Sequence, residues 1–176
     1  MGKGVANGLP ISIVCGSAEF MEPFDEIFFS FTFGGETTSI AAALATIRIM
    51  ERENFWEHAW NLGNTLQEGF RSLVKQHGLE GIFDCVGLPP WTVVTVADSA
   101  PWSGIQLKTL FQQEMLRHRI LFSGSQFISL AHTTSDIDRT LEAYADAMRT
   151  VRFALDSAAV DKLTLGKVNE IIFRRA

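Results

Sequence analysis

Four phenylalanines fall within seven residues in Ile27-Phe28-Phe29-Ser30-Phe31-Thr32-Phe33, and Gly34-Gly35 follows at once. Side chains alternate across a strand, so a strand written this way turns phenylalanine to both faces. Such a strand needs cover on both sides, as strands of an α/β sheet have. From Thr37 onward Ile40, Ala41, Leu44, Ala45 and Ile47 recur at helical spacing. An alanine-rich helix of this kind is expected to lie on a sheet. Ile11 to Val14 reads as a further short strand, with Cys15 at its end as a buried thiol. Two strands and one helix cannot cover a sheet on both faces. Residues 1–53 therefore read as the end of a larger α/β domain, and the chain as one from which a preceding part is missing.

Residues 54–176 read differently. Asn54 is placed to cap a helix, with Glu57 as reciprocal partner. Phe55, Ala59, Leu62, Leu66, Phe70 and Leu73 form its apolar stripe, and Gly78 suits its C-terminal stop. Gly81 to Val86 and Trp91 to Ala97 read as strands joined by Gly87-Leu88-Pro89-Pro90. Ser103 with Gln106 opens a third helix that runs to about His118. Ile120 to Phe122 and Phe127 to Leu130 read as short strands around Ser123-Gly124-Ser125. Ser135 and Asp136 begin a last long helix, striped by Ile137, Leu141, Tyr144, Met148, Val151 and Leu155. Its steps of four and three would suit a coiled coil, but the run is under three heptads, so a helix on a sheet is expected. Residues 158–176 read as a short helix or arm. The second region is thus a small α+β domain, three helices on an antiparallel sheet.

Charge and composition exclude several classes. Fifteen Lys and Arg against twenty Asp and Glu leave a net charge of −5, which offers no basic stripe to nucleic acid. No apolar stretch long enough for a membrane span is present. The two cysteines, Cys15 and Cys85, stand far apart without neighbouring His or Cys, so neither a metal site nor a CxxC redox motif is expected. Free thiols and a start without a secretory apolar segment point to a cytoplasmic protein.

Two segments could carry chemistry. Lys3 stands in Gly2-Lys3-Gly4-Val5-Ala6-Asn7-Gly8-Leu9-Pro10, where glycines let a backbone approach a ligand closely. A dinucleotide fingerprint would need a strand before and a helix after, and a P-loop a Ser or Thr after the lysine; both are absent. The second segment is Ser30 to Thr38, hydroxyls and glycines at a helix start. These are the ingredients of a phosphate site, and equally of plain capping by Thr37, Thr38 or Ser39. Glu80 with Asp84 reads as a solvated strand end, and His132 as a packed or capping histidine. Trp91 and Trp102 read as core or interface anchors, Arg117 and Arg119 as helix-end charge. Ser125 lacks a His-Asp set in motif context.

In order, Gly-Lys, a glycine-rich turn, Leu-Pro, a strand ending Cys15-Gly16, then Phe-Thr-Phe-Gly-Gly and an alanine-rich helix resemble the class-III aminotransferases. Within them the resemblance is to the glutamate-1-semialdehyde aminotransferase-like branch. The stretch Arg119-Ile120-Leu121-Phe122 through Ser129-Leu130-Ala131-His132-Thr133 and Asp136-Ile137-Asp138 resembles the small domain of the same branch. The resemblance implies a fold-type-I enzyme dependent on pyridoxal 5'-phosphate, of which this chain is the C-terminal portion. Residues 1–53 would close the large cofactor-binding domain, and 54–176 would be the small one. Lys3 matches the lysine that joins the cofactor as a Schiff base, and Thr32 the threonine that binds its phosphate across a homodimer. The implied activity is transfer of an amino group from a small-molecule donor to a keto or aldehyde acceptor.

Departures qualify that implication. Gly35-Glu36-Thr37 stands where the family has Gly-Asn-Pro, which leaves the helix without its usual asparagine cap. The loop Ser123-Gly124-Ser125-Gln126 is short and lacks the aminomutase carboxylate, which favours a plain aminotransferase. The partner of the pyridine nitrogen, the ring-stacking aromatic and the main phosphate cup are expected in the missing part. The isolated 176 residues are accordingly expected to be inactive. The alternative is a non-catalytic remnant or a subunit that only associates.

Overall fold

A computed structural model describes residues 2, 4–28 and 32–170. The chain divides into two compact units, Met1–Trp56 and Glu57–Ala176.

The first unit holds a short helix α1 (Ala18–Met21), a 3-10 turn over Glu22–Asp25 and the helix α2 (Thr37–Arg52). No strand occurs among its described residues. Ile11 to Val14 takes no regular secondary structure, because a strand exists only where a second one completes its ladder. Of the phenylalanine run, Phe29 to Phe31 lie outside the described residues, and Thr32 to Gly35 form a turn. With no sheet there, Cys15 is exposed rather than buried. Helix α2 forms as its spacing predicts, yet Ile40 and Leu44 face solvent; only Ser39 and Ala43 are buried.

The second unit builds its own core. Helix α3 (Phe55–Gln76) stops at a Schellman motif. Gly78, at φ +62°, donates to Lys75 O at 3.2 Å, and Leu79 donates to Val74 O at 2.9 Å, which seats the Leu79 side chain in the core. Strands β1 (Phe83–Leu88) and β2 (Trp91–Val96) follow as an antiparallel hairpin, closed by Pro89-Pro90 at the pair Leu88↔Trp91. Helix α4 (Gly104–Arg117) opens with a capping box between Ser103 and Gln106, as the sequence predicts. Helix α5 (Thr134–Asp156) has the same device one step earlier than expected, with Thr133 as cap and Asp136 as its partner. Hydrogen bonds from Thr133 lower the Asp136 carboxyl below its usual value. A short helix α6 (Val160–Leu163) follows.

The expected strands at Ile120–Phe122 and Phe127–Leu130 are replaced by one strand, β3 (Ser125–Phe127), antiparallel to β2. Gly124, at φ +108°, ends the preceding coil, and its carbonyl accepts from Val94 N at 2.8 Å. Pairing therefore begins at Ser125, which the sequence places in a turn. The sheet order is β1-β2-β3.

One ring from each of several elements meets in the core. Phe70 of α3 and Tyr144 of α5 pack edge to face at 5.1 Å, and Tyr144 stacks on Phe111 of α4 at 5.7 Å. Phe83 of β1 and Phe122 join Phe111 at 5.3 and 5.4 Å. The Tyr144 hydroxyl accepts a hydrogen bond from Gln126 Nε2, and Gln126 Oε1 accepts from Thr92 Oγ1 at 2.7 Å. Burial raises the tyrosine's pKa well above its usual value. This linkage satisfies three buried polar side chains and ties short β3 to β2 and α5. Trp91 is no core anchor: it stacks on Phe127 at 5.5 Å, and both rings stay more than half exposed. Trp102 is half-buried.

Candidate cofactor-binding site

Lys3 lies outside the described residues. The chain just after it coils tightly: Asn7 N donates to Gly4 O at 3.3 Å and Leu9 N to Ala6 O at 3.1 Å. Asn7 and Gly8 both take positive φ, and Ala6 is buried within the coil. The glycine at position 8, at φ +97°, is in a conformation that a side chain rarely adopts.

The other predicted residue, Thr32, lines a groove of about 790 Å³ within the first unit. Pro10, Ile11, Val14, Met21, Phe24 and Phe33 form its apolar wall, and Ser12 and Thr32 are its two hydroxyls. Ser12 is a lining residue that sequence reasoning missed; a lone serine in an apolar run carried no signal. Hydroxyl donors beside apolar walls suit a phosphate attached to an aromatic ring, so these residues fit pyridoxal phosphate.

The start of α2 does not serve in the same way. The Glu36 carboxylate accepts from Thr38 N at 2.9 Å and Ser39 N at 2.5 Å. The cap is thus a carboxylate, not the hydroxyl of Thr37, Thr38 or Ser39 that the sequence suggested, because Glu36 is the residue with extended backbone just before the first turn. Hydrogen bonds from Ser39 first and Thr38 second lower its pKa from 4.5 to about 2. A negative charge already fills the place where a phosphate would meet the helix dipole.

The remaining candidates resolve as structure. His132 Nδ1 accepts from Ser129 N at 3.0 Å, closing the turn before α5. Asp84 accepts from Cys85 N at 2.7 Å and faces Arg71 Nε at 3.5 Å. Arg117 pairs with Glu114 at 3.1 Å. Among the described residues no group of His, Cys, Asp and Glu is arranged to hold a metal. No helix among them is long and apolar enough to cross a membrane.

Residues 1–87 match the family model described as Aminotransferase class-III. A glutamate-1-semialdehyde 2,1-aminomutase of Akkermansia muciniphila is 33% identical over 155 residues, covering 81% of this chain and 36% of that protein. The enzyme of the same name from Desulfitobacterium hafniense is 31% identical over 163 residues, covering 86% and 38%. Among solved structures, one titled as a transaminase with PLP bound superposes with a TM-score of 0.73 at 25% identity, covering 87% of this chain and 38% of that one. The PLP form of the FumI protein of a Sphingopyxis species gives 0.72 at 26% identity, covering 89% and 37%. The chain spans between 36% and 42% of the length of the curated relatives it matches.

Proposed function

The chain belongs to the class-III aminotransferase family, whose cofactor is pyridoxal phosphate, and on that premise we propose that it moves an amino group between small molecules with Lys3 as the lysine that carries the cofactor. The observation that carries this reading is the ordered pair Lys3 and Thr32, both inside the matched segment, with Thr32 in a groove whose donors suit a phosphate. When bound, the cofactor supplies the electron sink for the reaction.

The chain's own residues have distinct tasks. The Lys3 amine would hold the cofactor and, as a neutral amine, would take and return a proton at the substrate carbon. Lysine suits this because desolvation readily lowers its pKa toward neutrality. The Thr32 hydroxyl, with Ser12 lining the same groove, would donate to the phosphate of the cofactor of the neighbouring subunit in a homodimer. Glu36 withholds the start of α2 from that phosphate and so leaves the hydroxyls as this chain's donors.

The curated relatives are named for an aminomutase and the solved ones for transaminases. Gln126 gives its side chain to the core linkage with Thr92 and Tyr144, and the loop Ser123–Gln126 contains no carboxylate. This supports transfer between two molecules rather than within one. A non-catalytic, associating subunit is the second reading, favoured by the 38% share of the transaminase fold that the chain covers.

Titration of the chain with pyridoxal phosphate tests both. Lysine-dependent binding is expected to give an absorbance band near the visible edge that borohydride reduction fixes as a covalent adduct on Lys3, and Lys3→Ala is expected to abolish it. In a chain completed with the rest of the fold, Lys3→Ala is expected to remove amino transfer; unchanged activity there would overturn the assignment. Absence of any adduct on the 176 residues together with activity of the completed chain would place the cofactor's affinity in the other part.

A further inference from the structure

Strand β1 is an edge strand, and edges expose backbone groups that recruit other strands. Ala97 N donates to Ile82 O at 2.7 Å, which sets the alternation: even-numbered residues of β1 bond inward to β2 and odd-numbered ones point outward. Most of the outward groups are turned to the protein's own use. Phe83 N donates to Leu79 O at 3.0 Å and Cys85 N to Asp84 Oδ1 at 2.7 Å. Cys85 O accepts from Arg71 Nη2 at 2.7 Å and Gln67 Nε2 at 3.1 Å, and Gly87 O accepts from the same Gln67 nitrogen at 3.2 Å.

Gln67 and Arg71 are four residues apart on α3, and Gly63 continues the stripe by four more. A Cβ at Gly63 would stand 2.0 Å from Pro89 O, so the glycine is what lets the helix backbone reach the hairpin tip. The spacing matches because four helical residues rise about 6.0 Å and two strand residues about 6.6 Å. Positions 63, 67 and 71 therefore meet the carbonyls of Pro89, Gly87 and Cys85 in step.

We infer that the stripe Gly63-Gln67-Arg71 stands in place of a fourth strand and shuts the β1 edge to strand addition by a second copy of the chain. The second copy is the occupant to expect, since a two-fold axis sets β1 antiparallel to itself and makes one edge complementary to the next. Val86 and Leu88, both exposed, lie on this strand and would add apolar area to that pairing.

Carbonyl-labelled cysteine reads the edge directly in the full chain, because the sequence has only two cysteines. The Cys85 carbonyl reports on β1, and the Cys15 carbonyl reports separately on the first unit. Gln67→Met with Arg71→Met keeps side-chain length and helix propensity while removing the donors. The Cys85 carbonyl resonance is expected to move upfield in dilute double variant and to return toward its original position as concentration rises and the partner's amides replace the lost donors. The unsubstituted chain and Arg71→Lys, which keeps a donor, are expected to show no concentration dependence at Cys85. A Cys85 signal unmoved by the double substitution would overturn the inference, and so would an upfield shift that stays fixed up to millimolar protein. If the double variant loses its helical circular dichroism, Arg71→Met alone, which retains Gln67, reads the same two outcomes.

Discussion

The two units differ in how far they gather aromatic rings into a buried cluster. In residues 57–176 Phe70 and Tyr144 are almost wholly buried and touch rings from other elements, whereas in residues 1–56 Phe28 is 96% exposed and Phe20 73%. The first unit carries the three residues proposed for the cofactor, Lys3, Ser12 and Thr32, and the second carries nearly all of the internal packing. Chemistry and self-sufficiency are thus separated along the chain. A site made of short segments around a groove depends on what packs against it, while the unit with its own sheet and three long helices meets its own needs.

Several measurements bear on that contrast. The largest effect is expected in association. Burying one phenylalanine is worth about 1.5–3 kcal/mol, so the full chain is expected to elute as oligomers by size exclusion with light scattering, and residues 57–176 as a monodisperse monomer. A monomeric full chain would erase the contrast. Next, Phe70→Ala removes a ring that meets both Phe111 and Tyr144, and should cost about 3–5 kcal/mol in urea unfolding of the second unit. Gly63→Ala forces the helix off Pro89 O, at a cost of about 1–3 kcal/mol; an unchanged urea midpoint would show that α3 can shift freely. The smallest effect belongs to the first unit. Glu36 has a depressed pKa, so its contribution is complete above its usual 4.5 and is lost as pH falls toward about 2. Amide exchange at Thr38 and Ser39 is expected to quicken across that window, and Glu36→Ala to exchange quickly at every pH.

What could be read in the sequence was mostly local. Ser103 with Gln106 and Gly78 announce helix ends because capping is settled within a few residues. The hairpin around Pro89-Pro90 was legible for the same reason. Ile11–Val14 was misread because apolar β-branched residues mark a strand only when a partner exists elsewhere in the chain. Cys15 followed that error. Ser125 moved from turn to strand because a single residue, Gly124, set where pairing begins. In the candidate site, the expectation for Thr32 came from the order of motifs and from no local pattern. Glu36 escaped because hydroxyl residues crowd that helix start and draw the eye, although a carboxylate just before them reaches the same two amides. The seam of Gly63, Gln67 and Arg71 could not have been found at all, since its logic lies in matching a helical rise to a strand rise.

The Pro89-Pro90 link has a consequence for how the hairpin avoids misregistration. Leu88 pairs with Trp91, so the two prolines occupy the whole connection. Sliding the turn by one residue in either direction would draw one proline into a strand, and sliding it by two would draw in both. Each misplaced proline lacks the amide that a ladder position requires. The faulty alignments are therefore penalised at the turn itself, before any helix has packed, by the two residues least able to join a sheet.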